Sequence, residues 1–258
     1  MLGNLAEHGP QLGPSMNSGN FRALLEGGVV CAVFCLTRRG NLLVQTGGRS
    51  DLGARIVADC ERQPPELSGV VGEFQGASSV WQELLSRPGF RPGLASKEPL
   101  YALALGESTP GIASAQLVRR AEPADFERWD ALMQAFLREE NMPLQGSVEQ
   151  RRAGFGGSSG AGCCWAGIAD GEIVATAVVN AIVDGTGQIG GVYTLPEQRR
   201  RGFCRAVMSA LIRDSRSLHG LERLVLFTGE NNAAARVLYE SLGFVQVGDF
   251  ALFFRKTD

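Results

Sequence analysis

The sequence predicts an α/β protein, a mixed sheet with helices in two halves of similar element order. Three observations carry this. Gln188–Arg213 reads as strand, tight basic turn and helix. Leu224–Phe244 reads as a short buried strand, a polar loop and a second helix. The first half ends on F-Q-G-A-S-S-V-W-Q-E-L-L-S-R-P-G-F and the second on F-T-G-E-N-N-A-A-A-R-V-L-Y-E-S-L-G-F. Gly89-Phe90 then aligns with Gly243-Phe244, and the same offset brings Leu84 onto Leu238.

In the first stretch Ile189, Val192, Tyr193 and Leu195 favour an extended chain, and Pro196 ends it because it has no N–H to give a ladder. Phe203, Ala206, Val207, Ala210 and Leu211 fall at helical spacing, so a helix begins near Gly202. The first N–H groups of a helix have no internal partner and carry the positive end of its dipole. A diphosphate fits such an end. Gly202 has no side chain to block the approach, and Arg199, Arg200, Arg201 and Arg205 add charge around it. In the second stretch Leu224–Phe227 is the strand, Asn231 and Asn232 are helix caps, Ala233–Leu242 is the helix and Gly243 stops it. Phe244–Val247 and Phe250–Phe254 are expected as two closing strands.

Together these stretches resemble the GNAT superfamily of acyl-CoA-dependent N-acyltransferases. Its pyrophosphate motif, Gln/Arg-x-x-Gly-x-Gly/Ala, is matched by Arg199-Arg200-Arg201-Gly202-Phe203-Cys204, with a cysteine at the last position. Its second motif is matched by Asn232, Ala235, Tyr239 and Gly243-Phe244. The resemblance covers roughly Leu117–Phe254. It implies acetyl-CoA as cosubstrate, an amine acceptor and no metal. Val192, Tyr193 and Thr194 would offer backbone groups to the pantetheine arm and the thioester carbonyl. Arg199, Arg200, Arg201, Gly202, Phe203, Cys204 and Arg205 would hold the pyrophosphate, and Asn232 would bond the donor's arm. Tyr239 would protonate the departing thiolate as general acid; without that spacing it reads as a packing tyrosine. Glu139 or Glu140, at the end of a helix, could line the acceptor site as an acid on its wall, and a base acting through water is equally open. The readings that compete are a CoA-binding sensor without catalysis and a nucleotide-binding protein. The latter lacks G-x-G-x-x-G and Walker spacing.

The first half has no arginine-glycine turn, and Leu85 stands where the second half has Tyr239. Residues 1–115 are therefore expected as a degenerate copy and 116–258 as the catalytic domain, the arrangement of a tandem GNAT protein. In chain order, Asn20–Glu26 reads as a short helix, Val29–Thr37 and Leu42–Thr46 as a hairpin, and Asp51 as the cap of a helix to about Glu61. Leu67–Phe74 is a strand, Ser78–Leu85 a helix, Leu100–Leu105 a strand and Gly106–Ala115 a linker. Gln116–Arg119 is a strand. Ala121–Asp125 opens a helix with Phe126, Trp129, Leu132, Met133 and Phe136 on its buried stripe, ended by Glu139–Pro143. Val148–Phe155 reads as a helix, Gly154–Gly162 as a loop, and Cys164–Ala169 and Glu172–Val183 as strands.

Composition agrees with a folded protein: of 258 residues 44% are hydrophobic and 20% charged. A net charge of −2 gives no general attraction to nucleic acid or an anionic membrane. No apolar run spans a bilayer, and the opening M-L-G-N-L-A-E-H-G-P lacks the pattern of a secretion signal, so a cytoplasmic protein is expected. Six cysteines without C-x-x-C spacing, and two histidines, make no ordinary zinc site. A homodimer is an open expectation that no residue marks.

Overall fold

The computed structural model describes residues 1–62, 64–106, 117–140, 142, 144 and 146–256. The elements in order are α1 (Leu2–His8), β1 (Gly19–Glu26), β2 (Val29–Thr37), β3 (Asn41–Gln45), α2 (Gly53–Cys60), β4 (Gly69–Glu73), α3 (Phe74–Leu85), β5 (Pro92–Ala104), β6 (Leu117–Arg120), α4 (Phe126–Glu139), α5 (Val148–Gly160), β7 (Cys164–Ala169), β8 (Glu172–Val183), β9 (Thr186–Thr194), α6 (Phe203–His219), β10 (Arg223–Phe227), α7 (Ala233–Ser241) and β11 (Val245–Arg255). They make a mixed α/β fold in two compact units. The first holds Met1–Tyr101, Phe227–Val237 and Gln246–Asp258; the second holds Ala102–Leu226 and Leu238–Val245. The boundary expected at 115/116 and the expected linker, apart from Gly106, lie outside the described residues.

In the first unit the strand order is β1-β2-β3-β4-β11-β5. The strands β1, β2 and β3 form an antiparallel meander, β4 runs parallel to β3, and β11 closes antiparallel on β4. Alternating residues of the strands meet the apolar stripes of α2 and α3, so Leu42, Val70, Ile56, Val57 and Val80 are all fully buried. Trp81 stacks on Phe253 of β11 at 5.3 Å and meets the edge of Phe90 at 5.2 Å. The last strand of the chain thus completes the core of the first unit.

The second unit has the strand order β10-β9-β8-β7-β6. Its meander β6–β9 is antiparallel and β10 is parallel to β9. On one face Phe126, Trp129 and Leu132 of α4 bury against Cys164, Ala166 and Tyr193. On the other, α6 packs so closely that a Cβ on Gly167 would lie 3.1 Å from Val207. The order of meander, helix, parallel strand and helix is common to both units. Gly89 and Gly243 are both left-handed after α3 and α7, with φ of 78° and 92°. Phe90 packs on Trp81 as Phe244 packs on Tyr239.

Four local expectations are corrected. Asn20–Glu26 is strand, because pairing along β2 outweighs its helix preference. Gly154–Gly160 is helix: a capping box of Ser147 and Gln150 starts α5, and Phe155 and Ser159 anchor it in the core. Asp51 does not cap α2; it pairs with Arg49, and Leu52 takes the cap position. The two closing strands are one, β11. Of the residues expected to end α4, Asn141 and Pro143 lie outside the described residues.

The start of α4 rests on one buried carboxylate. Arg119 donates to Asp125 Oδ2 at 2.6 Å and to Oδ1 at 2.8 Å, Arg128 donates to Oδ1 at 2.8 Å, and the Glu122 N–H donates to Oδ2 at 2.9 Å. The Arg119 guanidinium, then the backbone bond and Arg128, hold this carboxyl down at about 2. A depressed carboxyl contributes stability above its unfolded pKa near 4 and loses it as pH falls through about 2. Because both arginines are partly exposed, the contribution is discounted to about 1–2 kcal/mol. Asp125→Asn should therefore lower the melting temperature at neutral pH and flatten the stability profile between pH 4 and 2. Thermal denaturation across that range checks both.

Candidate functional site

The site is built on β9. Its parallel pairing with β10 runs through Arg223↔Thr186, Leu224↔Gly187 and Val225↔Gln188 and then stops. Ile189–Thr194 continues without β10 beside it. On its other edge β9 stays on β8, but Val178 faces Gly190 while Thr176 faces Tyr193, so Gly191 and Val192 sit in a bulge. Gly191 is left-handed, with φ 56°, a conformation open to glycine at little cost. A bulge bends the strand and increases its twist, which turns Val192, Tyr193 and Thr194 away from β10. The expected backbone groups therefore lie along an open strand edge. Gly190-Gly191 within a strand pattern is the signal that could have marked the bulge.

The turn after β9 ends at Gly202, which is left-handed (φ 86°, ψ 0°) and gives α6 no side-chain cap. A Cβ placed there would meet no protein atom within 4 Å. The first N–H groups of Phe203, Cys204 and Arg205 thus start a long helix beneath open space. The arginines divide. Arg199 Nη2 donates to Glu139 Oε2 at 2.6 Å and Oε1 at 2.8 Å, and Nε donates to the Thr194 carbonyl at 3.1 Å. Arg201 reaches Gln198 and lies over the Phe203 ring, and Arg205 donates to Ser241 Oγ at 2.6 Å. Arg200 is exposed and, among the described residues, shows no side-chain hydrogen bond or ion pair.

Glu139 also accepts from the Tyr193 hydroxyl at 2.9 Å. Arg199, and then Tyr193, hold its carboxyl below the usual range, so it stays ionised at neutral pH and is a weak base. Glu140 is exposed at the end of α4.

Tyr239 is buried (5% exposed) beside Phe244. Burial pushes its phenol above the ordinary range, and charge on the neighbouring Cys204 would push it further. Burial raises the Cys204 thiol to about 11, against the Thr194 hydroxyl and the Arg205 charge. The Thr194 hydroxyl oxygen is itself buried without a hydrogen-bond partner. Asn232 belongs to the first unit and spends its side chain as a cap, accepting from the Ala235 N–H at 3.1 Å.

The equivalent place in the first unit is closed. Pairing of β3 with β4 holds from Asn41↔Gly69 to Val44↔Gly72, almost the full length of both strands. The Glu73 carboxylate takes the Gly48 N–H at 3.1 Å, the Gly76 N–H at 2.7 Å and the Thr46 hydroxyl at 2.6 Å. The start of α2 is pressed on α3: a Cβ at Gly53 would lie 2.4 Å from the Ser79 carbonyl oxygen. An acid occupies the loop where the second unit leaves N–H groups open.

Sequence reasoning missed a cavity of about 340 Å³ between α4, α5 and β8, whose wall includes Trp129, Met133, Phe155 and Val178. Trp129 and Met133 were read only as part of a buried stripe, Phe155 as the end of a helix and Val178 as part of a strand. His219 is turned to the Gly162 carbonyl and Cys163, away from β9. Among the described residues no three His, Cys, Asp or Glu side chains gather as a metal site, and no helix is long and apolar enough to cross a membrane.

A meander, a bulged strand parting from its parallel neighbour, and a helix start behind a left-handed glycine define the GNAT class of fold. Residues 126–244 match the model of the acetyltransferase (GNAT) family, and this part of the chain belongs to it. Solved structures extend the likeness of fold to most of the chain. A GCN5-related N-acetyltransferase from Kribbella flavida is 18% identical, with a TM-score of 0.59, over 92% of this chain and 90% of its own. One from Sphaerobacter thermophilus is 18% identical at a TM-score of 0.60, over 89% and 77%. A tandem GNAT protein from the clavulanic acid biosynthesis pathway is 14% identical at 0.55, over 98% and 91%. No curated protein sequence matches the chain.

Two thiols and a phenol of the second unit tie stability to alkaline pH. Cys204 is raised to about 11 and Cys164 to about 12, both by burial, and Tyr239 is raised as well. A raised group contributes stability below its unfolded pKa, near 9 for a thiol, and loses it as pH rises through the folded value. Stability should hold to about pH 9 and then fall, by up to about 1.4 kcal/mol per group per pH unit. Melting temperatures from pH 7.5 to 11 check this; a flat profile would mean the thiols are solvated.

Proposed function

We propose that the chain is an N-acetyltransferase, moving an acetyl group from acetyl-CoA to an amine by direct attack. The observation that carries this reading is the open edge of Ile189–Thr194 leading to the uncapped start of α6 behind Gly202. The residues fit the donor: an unfilled approach at Gly202, unpartnered helix N–H groups, and the orphaned Thr194 hydroxyl. On this reading the N–H groups of Phe203, Cys204 and Arg205 take the pyrophosphate, with Arg200 as the cation free to turn to it. Arg199 acts instead as a clamp between α4 and the end of β9. The backbone of Val192, Tyr193 and Thr194 takes the pantetheine arm and the thioester carbonyl. Asn232 supports the start of α7 and, through it, the placement of Tyr239.

The chemistry balances without a covalent enzyme intermediate. The neutral amine attacks the thioester carbon, the C–N bond forms and the C–S bond breaks. The thiolate takes a proton from Tyr239, the amine gives one up to solvent because Arg199 makes Glu139 a weak base, and solvent returns a proton to Tyr239. A phenol raised by burial keeps its proton across the neutral range, as a general acid must. Donor binding belongs to the second unit alone, because Glu73 closes the loop of the first.

Two variants test the reading. Gly202→Ala and Gly202→Val both place a side chain at positive φ, and valine adds bulk at the approach together with the strain of its β-branch. Calorimetry should give one acetyl-CoA site per chain, weakened at least about tenfold more by valine than by alanine. Two equal sites, or equal affinities in folded variants, would remove the α6 start as the donor site.

Tyr239→Phe keeps the ring and loses only the hydroxyl. Its kcat should fall about 10²–10⁴-fold with donor affinity nearly intact, the usual worth of a positioned general acid. The wild-type rate should fall off only above pH about 10, and that limb should vanish in the variant. A full-rate Tyr239→Phe enzyme would leave solvent as the proton source.

A further inference from the structure

We propose that the acceptor is a primary amine with an uncharged apolar arm, of short alkyl or single-ring size, that enters the cavity between α4 and α5. This rests on the acyl-transfer reading. The cavity, about 340 Å³, lies near the lower end of the about 300–1,000 Å³ usual for ligand sites. Trp129, Met133, Leu137, Phe155 and Val178 give it an apolar wall.

The charged side chains on that wall, Asp130 and Arg151, are committed to each other. Arg151 Nε donates to Asp130 Oδ1 at 2.7 Å and Nη2 to Oδ2 at 2.9 Å. Gln134 donates to the same Oδ2 at 2.9 Å, and Arg151 Nη1 donates to the Gly146 carbonyl at 3.0 Å. Both carboxylate oxygens and all three guanidinium nitrogens are thereby used. A charged end on the acceptor would lose its water and gain no counter-charge, whereas an apolar end gains burial.

Two side chains of the cavity wall also lie beside the bulge of β9. A Cβ on Gly191, in the bulge of β9, would lie 3.4 Å from Val178 and 3.9 Å from Met133. Both side chains line the cavity. An arm held there leaves its amine beside Gly191 and Val192, where the thioester carbonyl lies on the reading above. The amine nitrogen then bonds to the acetyl carbon, and CoA leaves as the thiol.

The test uses the full chain with saturating acetyl-CoA and reads thiol release. The acceptors are propylamine to hexylamine, 2-phenylethylamine, 1,5-diaminopentane and 5-aminopentanoate. The expected kcat/KM rises about fourfold per added methylene, and a charged end lowers it at least about 100-fold relative to hexylamine. Leu137→Glu, at a half-buried wall position, should shift the diaminopentane-to-hexylamine ratio at least about tenfold toward the diamine, with acetyl-CoA affinity unchanged. Should that variant fail to fold, the wild-type series decides alone. Calorimetry with hexylamine on the CoA-bound protein reads the cavity without turnover. Acetylation indifferent to chain length, or better with the diamine, overturns the cavity assignment and leaves acyl transfer standing. Hexylamine binding with length dependence but no acetylation of any amine overturns acyl transfer and leaves the cavity assigned. Neither binding nor turnover overturns both.

Discussion

The second unit depends on a parallel strand pair that stops pairing early. Backbone N–H and C=O groups buried without partners cost about as much as a lost hydrogen bond. A strand that leaves its neighbour therefore needs another partner, solvent or a ligand. The bulge at Gly191 and Val192 makes the parting mechanically possible, because it turns β9 while its other edge stays on β8. The left-handed turn at Gly202 then starts α6 at the end of that open edge. Strand edge and helix start together offer one continuous run of donors, where most folds would have spent them on a ladder.

The first unit shows what happens when the same order of elements keeps its strands zipped. There β3, the counterpart of β9, is paired on both edges, by β2 and by β4, so it opens no edge beside its parallel neighbour. Glu73 satisfies the loop N–H groups from within the protein. A carboxylate built into the loop takes the space and the N–H groups that a phosphate would use. Such a unit is a stable scaffold built on Trp81, Phe90 and Phe253, with its polar groups already spent.

Electrostatics in the second unit separates structural from available charge. Arg119, Arg128, Arg151 and Arg199 are each tied to a carboxylate, at Asp125, Asp130 or Glu139. These pairs pin α4 and α5 to the sheet and to each other. They leave Arg200, Arg201, Arg205 and the dipole of α6 as the positive features at the turn, with Arg201 bonded to Gln198 and Arg205 to Ser241. Buried Tyr239 and half-buried Cys204 add neutral polar groups rather than ions. The field at the open edge thus combines these arginines with oriented backbone groups, which need no reorganisation when charge develops.

Much of this was legible in the chain. The helical spacing from Phe203, the glycine after three arginines and the Asn232–Tyr239 pattern are local, and local geometry follows from local sequence. So do the α/β class and the paired element order, since each strand and helix announces itself by period. Tertiary structure alone decided four things. Asn20–Glu26 became strand because β2 offered it a ladder. The closing strand β11 became part of the first unit because Phe253 completes the core there. Arg199 turned to Glu139 because α4 ends beside β9. And the cavity beside Gly191 exists only where α4, α5 and β8 meet. Each is a contact between residues far apart in sequence, and periodicity reports which face of an element is buried but not what it is buried against.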